Sequence, residues 1–139
     1  MKVAIIGYGS IGRRHLKNLL TLGVKSIVVV SAHTTEDTLN VNGESIPVVK
    51  DIEKVINSIN MMIISNSSNL HLKYLRLAIK NNVHTYIEKP IACDLNQISN
   101  LSKQAVDKQL VVAVGMQFRF NKMLVKLKKF LDDNYFGRI

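Results

Sequence analysis

The chain has 139 residues, enough for one domain with a hydrophobic core and too few for two ordinary domains. Apolar residues make up 47% and charged residues 21%, which excludes a disordered, collagen-like or low-complexity chain. The net charge of +9 favours anionic partners, including phosphate-bearing ligands. No apolar run reaches the ~18 residues of a spanning helix. The single cysteine, Cys93, fits a reducing compartment, so we expect a cytoplasmic protein.

Short apolar runs alternate with helical patterns along the chain. The apolar runs predict six main strands, at residues 3–6, 27–30, 46–49, 61–64, 83–87 and 110–114. Helices are predicted at residues 10–22, 51–57, 70–79, 95–105 and 120–131. The polar segment 31–47 is too short for a full crossover helix, and Asn42-Gly43 within it signals a small hairpin. This alternation predicts an α/β fold with a doubly wound parallel sheet of the Rossmann type.

The turn after the first strand carries a G-x-G-x-x-G motif, Gly7-Tyr8-Gly9-Ser10-Ile11-Gly12. In dinucleotide-binding folds the first glycine allows a tight turn, the second lets backbone approach a pyrophosphate, and the third lets the helix pack on the strand. The amides of Ser10 and Ile11 would then meet phosphates at the helix N-terminus. The alternative is a glycine-rich turn that binds no ligand.

The second half of this fingerprint is an acidic residue about 20 positions further on, which binds the adenosine ribose. Ser31 occupies that position, followed by Ala32 and His33, and the next carboxylate is Glu36. Without the acid nothing there repels a 2′-phosphate, and Ser31 with His33 could accept one. We therefore expect NADP or NAD as cofactor, with a preference for NADP. Alternatively, Ser31 only ends the strand and the nearby loop supplies other contacts.

Three further motifs follow the later strands: Asn66-Ser67-Ser68-Asn69-Leu70-His71, Glu88-Lys89-Pro90 and Gly115-Met116-Gln117-Phe118-Arg119-Phe120-Asn121. With the glycine motif, they make the chain resemble the N-terminal half of Gfo/Idh/MocA NAD(P)-dependent oxidoreductases. The resemblance implies an enzyme that transfers hydride between nicotinamide and a hydroxyl-bearing carbon of a sugar, cyclitol or nucleotide-sugar derivative. It also implies that residues 1–121 form the Rossmann domain, and that residues 122–139 form a final helix and the start of a substrate domain missing here. We therefore expect this chain alone to bind dinucleotide with little or no turnover.

The resemblance gives Lys89 the catalytic role. It matches a lysine near the nicotinamide ribose and a substrate hydroxyl, where a cation polarises the oxygen of the reacting carbon. Glu88 would help to hold Lys89 in position. The family's Lys-Pro bond is often cis, which we expect for Lys89-Pro90 as well. The alternative is an exposed lysine in an ordinary strand-to-helix turn.

Other matches place residues around the cofactor. Asn66, Ser67 and Ser68 stand where many relatives have Thr-Pro-Asn, and they keep small polar groups beside the cofactor. His71 matches a histidine that begins the next helix, and we expect it to order that loop rather than to transfer protons.

Near the end of the chain, Arg119 and Asn121 match an Arg-x-Asn motif at the nicotinamide end of the site. Gln117 is expected to add a polar contact there. Packing of Arg119 against the second domain is an equally good alternative to a direct cofactor role.

Other chemistry finds little support in the sequence. The four histidines and one cysteine lack metal-ligand spacing, so no metal is expected. A non-catalytic dinucleotide-binding or redox-sensing module is the alternative function. No recognition helix or aromatic platform points to nucleic acid, and neither nucleic acid nor membrane is an expected partner. Relatives of this kind often form homo-oligomers, and that state stays open here.

Overall fold

A computed structural model describes residues 1–135 and 137, and a seven-stranded sheet lies at its centre. The strands are β1 (Lys2–Ile6), β2 (Ser26–Val30), β3 (Thr38–Val41), β4 (Glu44–Val49), β5 (Met61–Ile64), β6 (His84–Ile87) and β7 (Val112–Val114). They follow the order β3-β4-β2-β1-β5-β6-β7, and all neighbours are parallel except β3 and β4.

The described residues also form four α-helices and four short 3₁₀ turns. The helices are α1 (Ser10–Thr21), α2 (His71–Lys80), α3 (Ile98–Asp107) and α4 (Lys122–Asp132). The 3₁₀ turns cover Ile52–Lys54, Ile56–Ser58, Ser68–Leu70 and Gln117–Phe120. The predicted α/β Rossmann architecture is confirmed. None of the helices in the described part of the chain is long and apolar enough to cross a bilayer.

The six predicted main strands are confirmed, and the hairpin that Asn42-Gly43 signalled adds a seventh strand. All six predicted strands are present, and β3 pairs antiparallel with β4 at the edge of the sheet. Asn42 and Gly43 close this hairpin with φ angles of 55° and 83°. Positive φ at two successive residues suits the tight turns that match strand twist, and asparagine followed by glycine tolerates it best.

Two predicted helices differ from the observed ones. Residues 51–57 form two 3₁₀ turns instead of one helix, and the turns meet at Val55, whose φ of −130° is not helical. Three β-branched residues in this segment lower its helix propensity. The helix predicted from residue 95 begins at Ile98, because the Asp94 side chain accepts a hydrogen bond from the Asn96 amide and forms a turn there.

Both faces of the sheet are covered, which explains the continuous apolar runs of the central strands. In β1, Ala4 and Ile6 pack with α2 and α3 on one face, whereas Val3 and Ile5 pack with α1 on the other. The segments after β1, β2, β4, β5, β6 and β7 therefore meet at the carboxyl edge of the sheet, where open α/β folds bind ligands. α4 buries none of its residues. Residues 136, 138 and 139, within the predicted start of a second domain, lie outside the described residues.

Candidate functional site

A cleft of about 980 Å³ opens at the carboxyl edge of the sheet. In the sheet, β1 lies between β2 and β5, so the chain crosses to one side of β1 first and to the other side later. The cleft lies at this point, where the strand order reverses and such sheets form a crevice. Seven of the residues predicted for cofactor binding line it: Gly7, Tyr8, Gly9, Ser31, His33, Asn66 and Ser67. Three segments that are far apart in sequence are thus brought to one concave surface of a size typical of ligand sites.

The three motif glycines are needed for three different reasons. Gly7 has a φ of +90°, and a Cβ on it would lie 2.9 Å from Asn66 Cα. A Cβ on Gly12 would lie only 2.1 Å from the carbonyl oxygen of Gly7, so this position is closed to any side chain. Gly9 differs, because a Cβ there would meet nothing within 4 Å, and the residue faces the cleft. Gly7 and Gly12 therefore serve the fold, whereas Gly9 leaves space for a ligand.

The N-terminus of α1 points its first amides towards this edge without a capping side chain. Gly9 is the N-cap residue and provides no side-chain hydrogen bond. The first turn contains no acidic residue that would occupy its positive end. Ser10 and Ile11 are exposed there, although neither lines the cleft itself. A negatively charged group would find free N–H donors at this position.

The end of β2 forms a polar wall of the cleft. Ser31 is 8% exposed, and its hydroxyl accepts a hydrogen bond of 2.8 Å from Thr34 Oγ1. His33 is exposed and lines the same wall, as does Glu36. Thr34 was not among the predicted residues, although its place three positions after Ser31 could have suggested the contact.

Two cations in the cleft wall were also missed from the sequence. Arg13 lies on α1 with its guanidinium 4.6 Å from the centre of the Tyr8 ring. Lys50 directly follows β4, which runs parallel to β2, so it reaches the same edge. Because residues 46–49 were predicted as a strand, the position of Lys50 at a strand end was a usable signal.

Asn66 presents an acceptor without a partner. Its side-chain oxygen is buried and has no hydrogen-bond partner within the described residues. Buried polar atoms in native proteins are nearly always paired, so an unpaired one at the wall of a cleft calls for a donor from outside the chain. Ligand hydroxyls such as those of a ribose are donors of this kind.

His71 joins two of the predicted segments from behind the cleft. It is 1% exposed; Nε2 lies 3.0 Å from the Asn66 carbonyl oxygen and Nδ1 lies 2.8 Å from that of Pro90. Both oxygens only accept, and a neutral imidazole can donate to one of them at a time. The ring lies between the loop after β5 and the turn after β6 and contacts both of them.

The turn after β6 contains Glu88, Lys89 and Pro90, and the Lys89-Pro90 bond is cis, as expected. Glu88 is 7% exposed and accepts hydrogen bonds from His15 Nε2 at 2.9 Å and from Gln117 Nε2 at 3.3 Å. Lys89 is exposed at the same edge. His15 was not predicted from the sequence, since nothing in its neighbourhood indicates a partner 73 residues away.

Several predicted residues do not line the cleft: Ser10, Ile11, Gly12, Ser68, His71, Glu88, Lys89, Gln117 and Arg119. Ser68 begins a 3₁₀ turn, and its hydroxyl lies 3.6 Å from Cys93 Sγ. Arg119 is exposed in the turn after β7. No group of three or more potential metal ligands occurs among residues 1–135 and 137.

Comparison with known proteins identifies the family. Residues 1–116 match the sequence model of Gfo/Idh/MocA proteins, described as "Oxidoreductase family, NAD-binding Rossmann fold". The chain belongs to this family. It is 24% identical to myo-inositol 2-dehydrogenase of Thermotoga maritima, over 99% of this chain and 42% of that protein. It is 25% identical to scyllo-inositol 2-dehydrogenase (NADP(+)) of Bacillus subtilis, over 96% of this chain and 38% of that protein.

A solved structure of scyllo-inositol dehydrogenase from Lactobacillus casei, with bound cofactor NAD(H) and scyllo-inositol, shares the fold. Its TM-score is 0.79 at 22% identity, covering 100% of this chain and 43% of that one. The family member described here thus spans about two fifths of the length of the relatives that it matches.

Proposed function

We propose that this chain is the dinucleotide-binding part of an NAD(P)-dependent oxidoreductase acting on a CH–OH group. The observation that carries the proposal is the cleft in which the open face of Gly9, the end of β2 and the Asn66-Ser67 loop meet. Family membership gives the reaction type, and the cleft gives the place where this chain would contribute to it.

The residues present fit an extended dinucleotide. The uncapped N-terminus of α1 beside Gly9 suits a pyrophosphate, and the unpaired Asn66 oxygen suits a ribose hydroxyl. When bound, the nicotinamide ring accepts or donates the hydride. The roles of the protein groups are to bind the phosphates, to orient the riboses and to supply charge.

Lys89 is our choice for the catalytic group. An exposed cation at the carboxyl edge can stabilise negative charge on the oxygen of the carbon that is oxidised or reduced. Its neighbour Glu88 is buried and hydrogen-bonded, so the backbone from which the Lys89 side chain extends is held in place. Gln117 and Arg119 lie in the turn after β7, and we assign them to the nicotinamide end.

We infer a preference for NADP over NAD from the wall at the end of β2. Ser31 takes the place of the acid that would repel a 2′-phosphate. The cations Arg13 and Lys50, together with His33, line the cleft, against the single carboxylate of Glu36 in that lining. Both cofactors occur among the relatives, in an enzyme named for NADP(+) and in a structure with bound NAD(H).

Two relatives support a substrate class for the whole enzyme. Both act on inositols, and we propose a cyclitol or a related sugar derivative as the substrate here.

We further propose a cytoplasmic location, which the lone cysteine supports, and no partnership with nucleic acid or membrane. The proposed domain boundary near residue 121 agrees with α4, which follows it and buries none of its residues.

Calorimetric titration of the chain with NADPH and with NADH tests the function. We expect binding of both, with NADPH tighter by about tenfold, the size of one charge-assisted contact. Gly9→Ala is the matched variant, because its added methyl group meets no protein atom and occupies only the space assigned to the ligand. It should keep the stability of the wild type and lose most of the affinity. Absence of binding to the wild-type chain would contradict the proposed function.

A further inference from the structure

Glu88 is the buried charged residue at the centre of a small side-chain cluster beside the cleft. Its carboxylate meets His15 from α1 and Gln117 from the turn after β7. The side chains of His15 and Glu88 are only 15% and 10% exposed. Solvent therefore screens this contact less than it would screen a surface pair. A carboxylate buried to this extent depends on its hydrogen-bond donors, because losing one leaves a charge without compensation.

The surroundings fix the direction of this contact. The His15 ring packs edge-on against Tyr86, with ring centres 5.2 Å apart and an angle of 67°. Gly115 leaves the space that the carboxylate needs, since a Cβ there would lie 3.1 Å from Glu88 Oε2 and 2.8 Å from the Tyr86 hydroxyl. The Glu88 amide donates to Ile64 O, which anchors the backbone to β5. The His15 ring, the Glu88 carboxylate and the Glu88 backbone are therefore each held by a specific contact.

We propose that His15 is a positioning residue that acts through Glu88 to fix Lys89 relative to the glycine-loop helix, a role that rests on the function proposed above. His15 lies on α1, the helix whose N-terminus carries the phosphate-binding loop. Its partner Glu88 directly precedes Lys89, while the carbonyl of Pro90, directly after it, is held by His71. Both neighbours of the lysine are thus fixed by a histidine, and one of these links runs to the helix that binds the phosphates.

The contact between His15 and Glu88 should affect the two parts of a dinucleotide differently. The adenosine and pyrophosphate part of a dinucleotide needs only the cleft and the glycine loop. The nicotinamide part also needs the turn that carries Lys89. Loss of the His15 contact should therefore weaken ligands that contain the nicotinamide riboside and leave ADP, which ends at the pyrophosphate, almost unaffected.

The experiment compares three variants of the full chain by calorimetry with NADH and with ADP. His15→Leu removes the donor, His15→Gln keeps an amide N–H that can reach Glu88, and Lys17→Leu alters an exposed position on the same helix. For His15→Leu we expect NADH affinity to fall by about tenfold and ADP affinity to stay within about twofold. His15→Gln should recover most of the NADH affinity, and Lys17→Leu should match the wild type.

A merely structural role for His15 would weaken both ligands alike, and that result would overturn the proposal. A second readout needs no ligand: the NMR order parameter of the Lys89 amide should fall in His15→Leu and recover in His15→Gln. An unchanged order parameter would also overturn it. If the wild type bound neither ligand, the proposed function would fail, and the order parameters would still decide whether His15 fixes this turn.

Discussion

The two sides of the site are built in different ways. On the cleft side, the glycine loop and the ends of β2 and β4 present backbone and short polar side chains directly to open space. On the side of the Lys89 turn, the buried acid Glu88 accepts hydrogen bonds from His15 and Gln117, which lie 73 and 29 positions away in the sequence. Backbone and short side chains therefore line the first side, whereas side-chain hydrogen bonds hold the second side in place.

Large apolar side chains are exposed in the turn after β7 and in α4. Phe118 and Phe120 are 74% and 81% exposed in the turn after β7, and Met123 of α4 is 76% exposed. The residues of the glycine loop, in contrast, rest on a core that is closed on both faces of the sheet. Substitutions on the cleft side should therefore divide sharply into those that affect folding and those that affect binding.

Gly12→Ala should have the largest effect. The added methyl group would lie 2.1 Å from the Gly7 carbonyl oxygen, so α1 would have to move away from β1. We expect the free energy of unfolding in urea to fall by about 3 kcal/mol, as for a severe overpacking substitution, together with loss of dinucleotide binding. Gly9→Ala, three positions earlier on the open face, should change stability by less than about 0.5 kcal/mol. Equal stability of the two variants would contradict this division.

His71→Leu should be the next most damaging change. It removes a ring that contacts the carbonyl oxygens of Asn66 and Pro90, and the oxygen to which the ring donates loses that hydrogen bond. We expect a loss of about 1–3 kcal/mol in urea unfolding, the cost of one acceptor left unpaired. His33→Leu, at an exposed histidine of the cleft wall, serves as control and should leave stability almost unchanged. A harmless His71→Leu would show that the two loops hold their shape without the ring.

Ser31→Asp tests the cofactor preference. An aspartate at the end of β2 can accept from the adenosine ribose hydroxyls and would repel a 2′-phosphate. We expect NADPH affinity to fall by about tenfold or more while NADH affinity is kept or improved. The neutral Ser31→Asn is the matched control for shape, and it should alter the ratio of the two affinities far less. A ratio that is the same in both variants would exclude this wall as the 2′-phosphate site.

The cleft side is also the side that the sequence predicts well. Glycine spacing after an apolar run reports on backbone conformation, which is local, so the loop and its cofactor class follow from twelve residues. Ser31 and His33 could be located because a strand end fixes their distance from the glycines. Lys50 was missed although it follows a predicted strand, because a lone lysine carries no spacing pattern of its own.

The pairing of His15 with Glu88 could not be predicted, for a physical reason. It depends on how α1 crosses the sheet above β6, which only the packed core determines. The seventh strand shows the same limit in milder form: its turn was visible as Asn42-Gly43, but its pairing at the sheet edge needed the tertiary structure.

Tyr86 offers the smallest effect and the most direct probe of the Glu88 cluster. Burial, and to a smaller extent the negative charge of Glu88, raise the pKa of Tyr86 above its ordinary value of 10.0. As pH rises, the unfolded chain loses this proton first. The stabilisation is therefore fully present below pH 10.0 and is lost as the pH passes the folded-state pKa.

Alkaline absorbance titration of wild type and of Tyr86→Phe isolates this phenol, and their difference should show ionisation above pH 10.0. Glu88→Gln should move that ionisation only part of the way back, because the larger cause, burial, remains. A difference curve centred at or below 10.0 would mean that the phenol is solvated and that Glu88 is further from it than the packing over Gly115 indicates. The cluster around Glu88 would then be less tightly packed than the structure indicates. The contact between His15 and Glu88 could not hold Lys89 in one position.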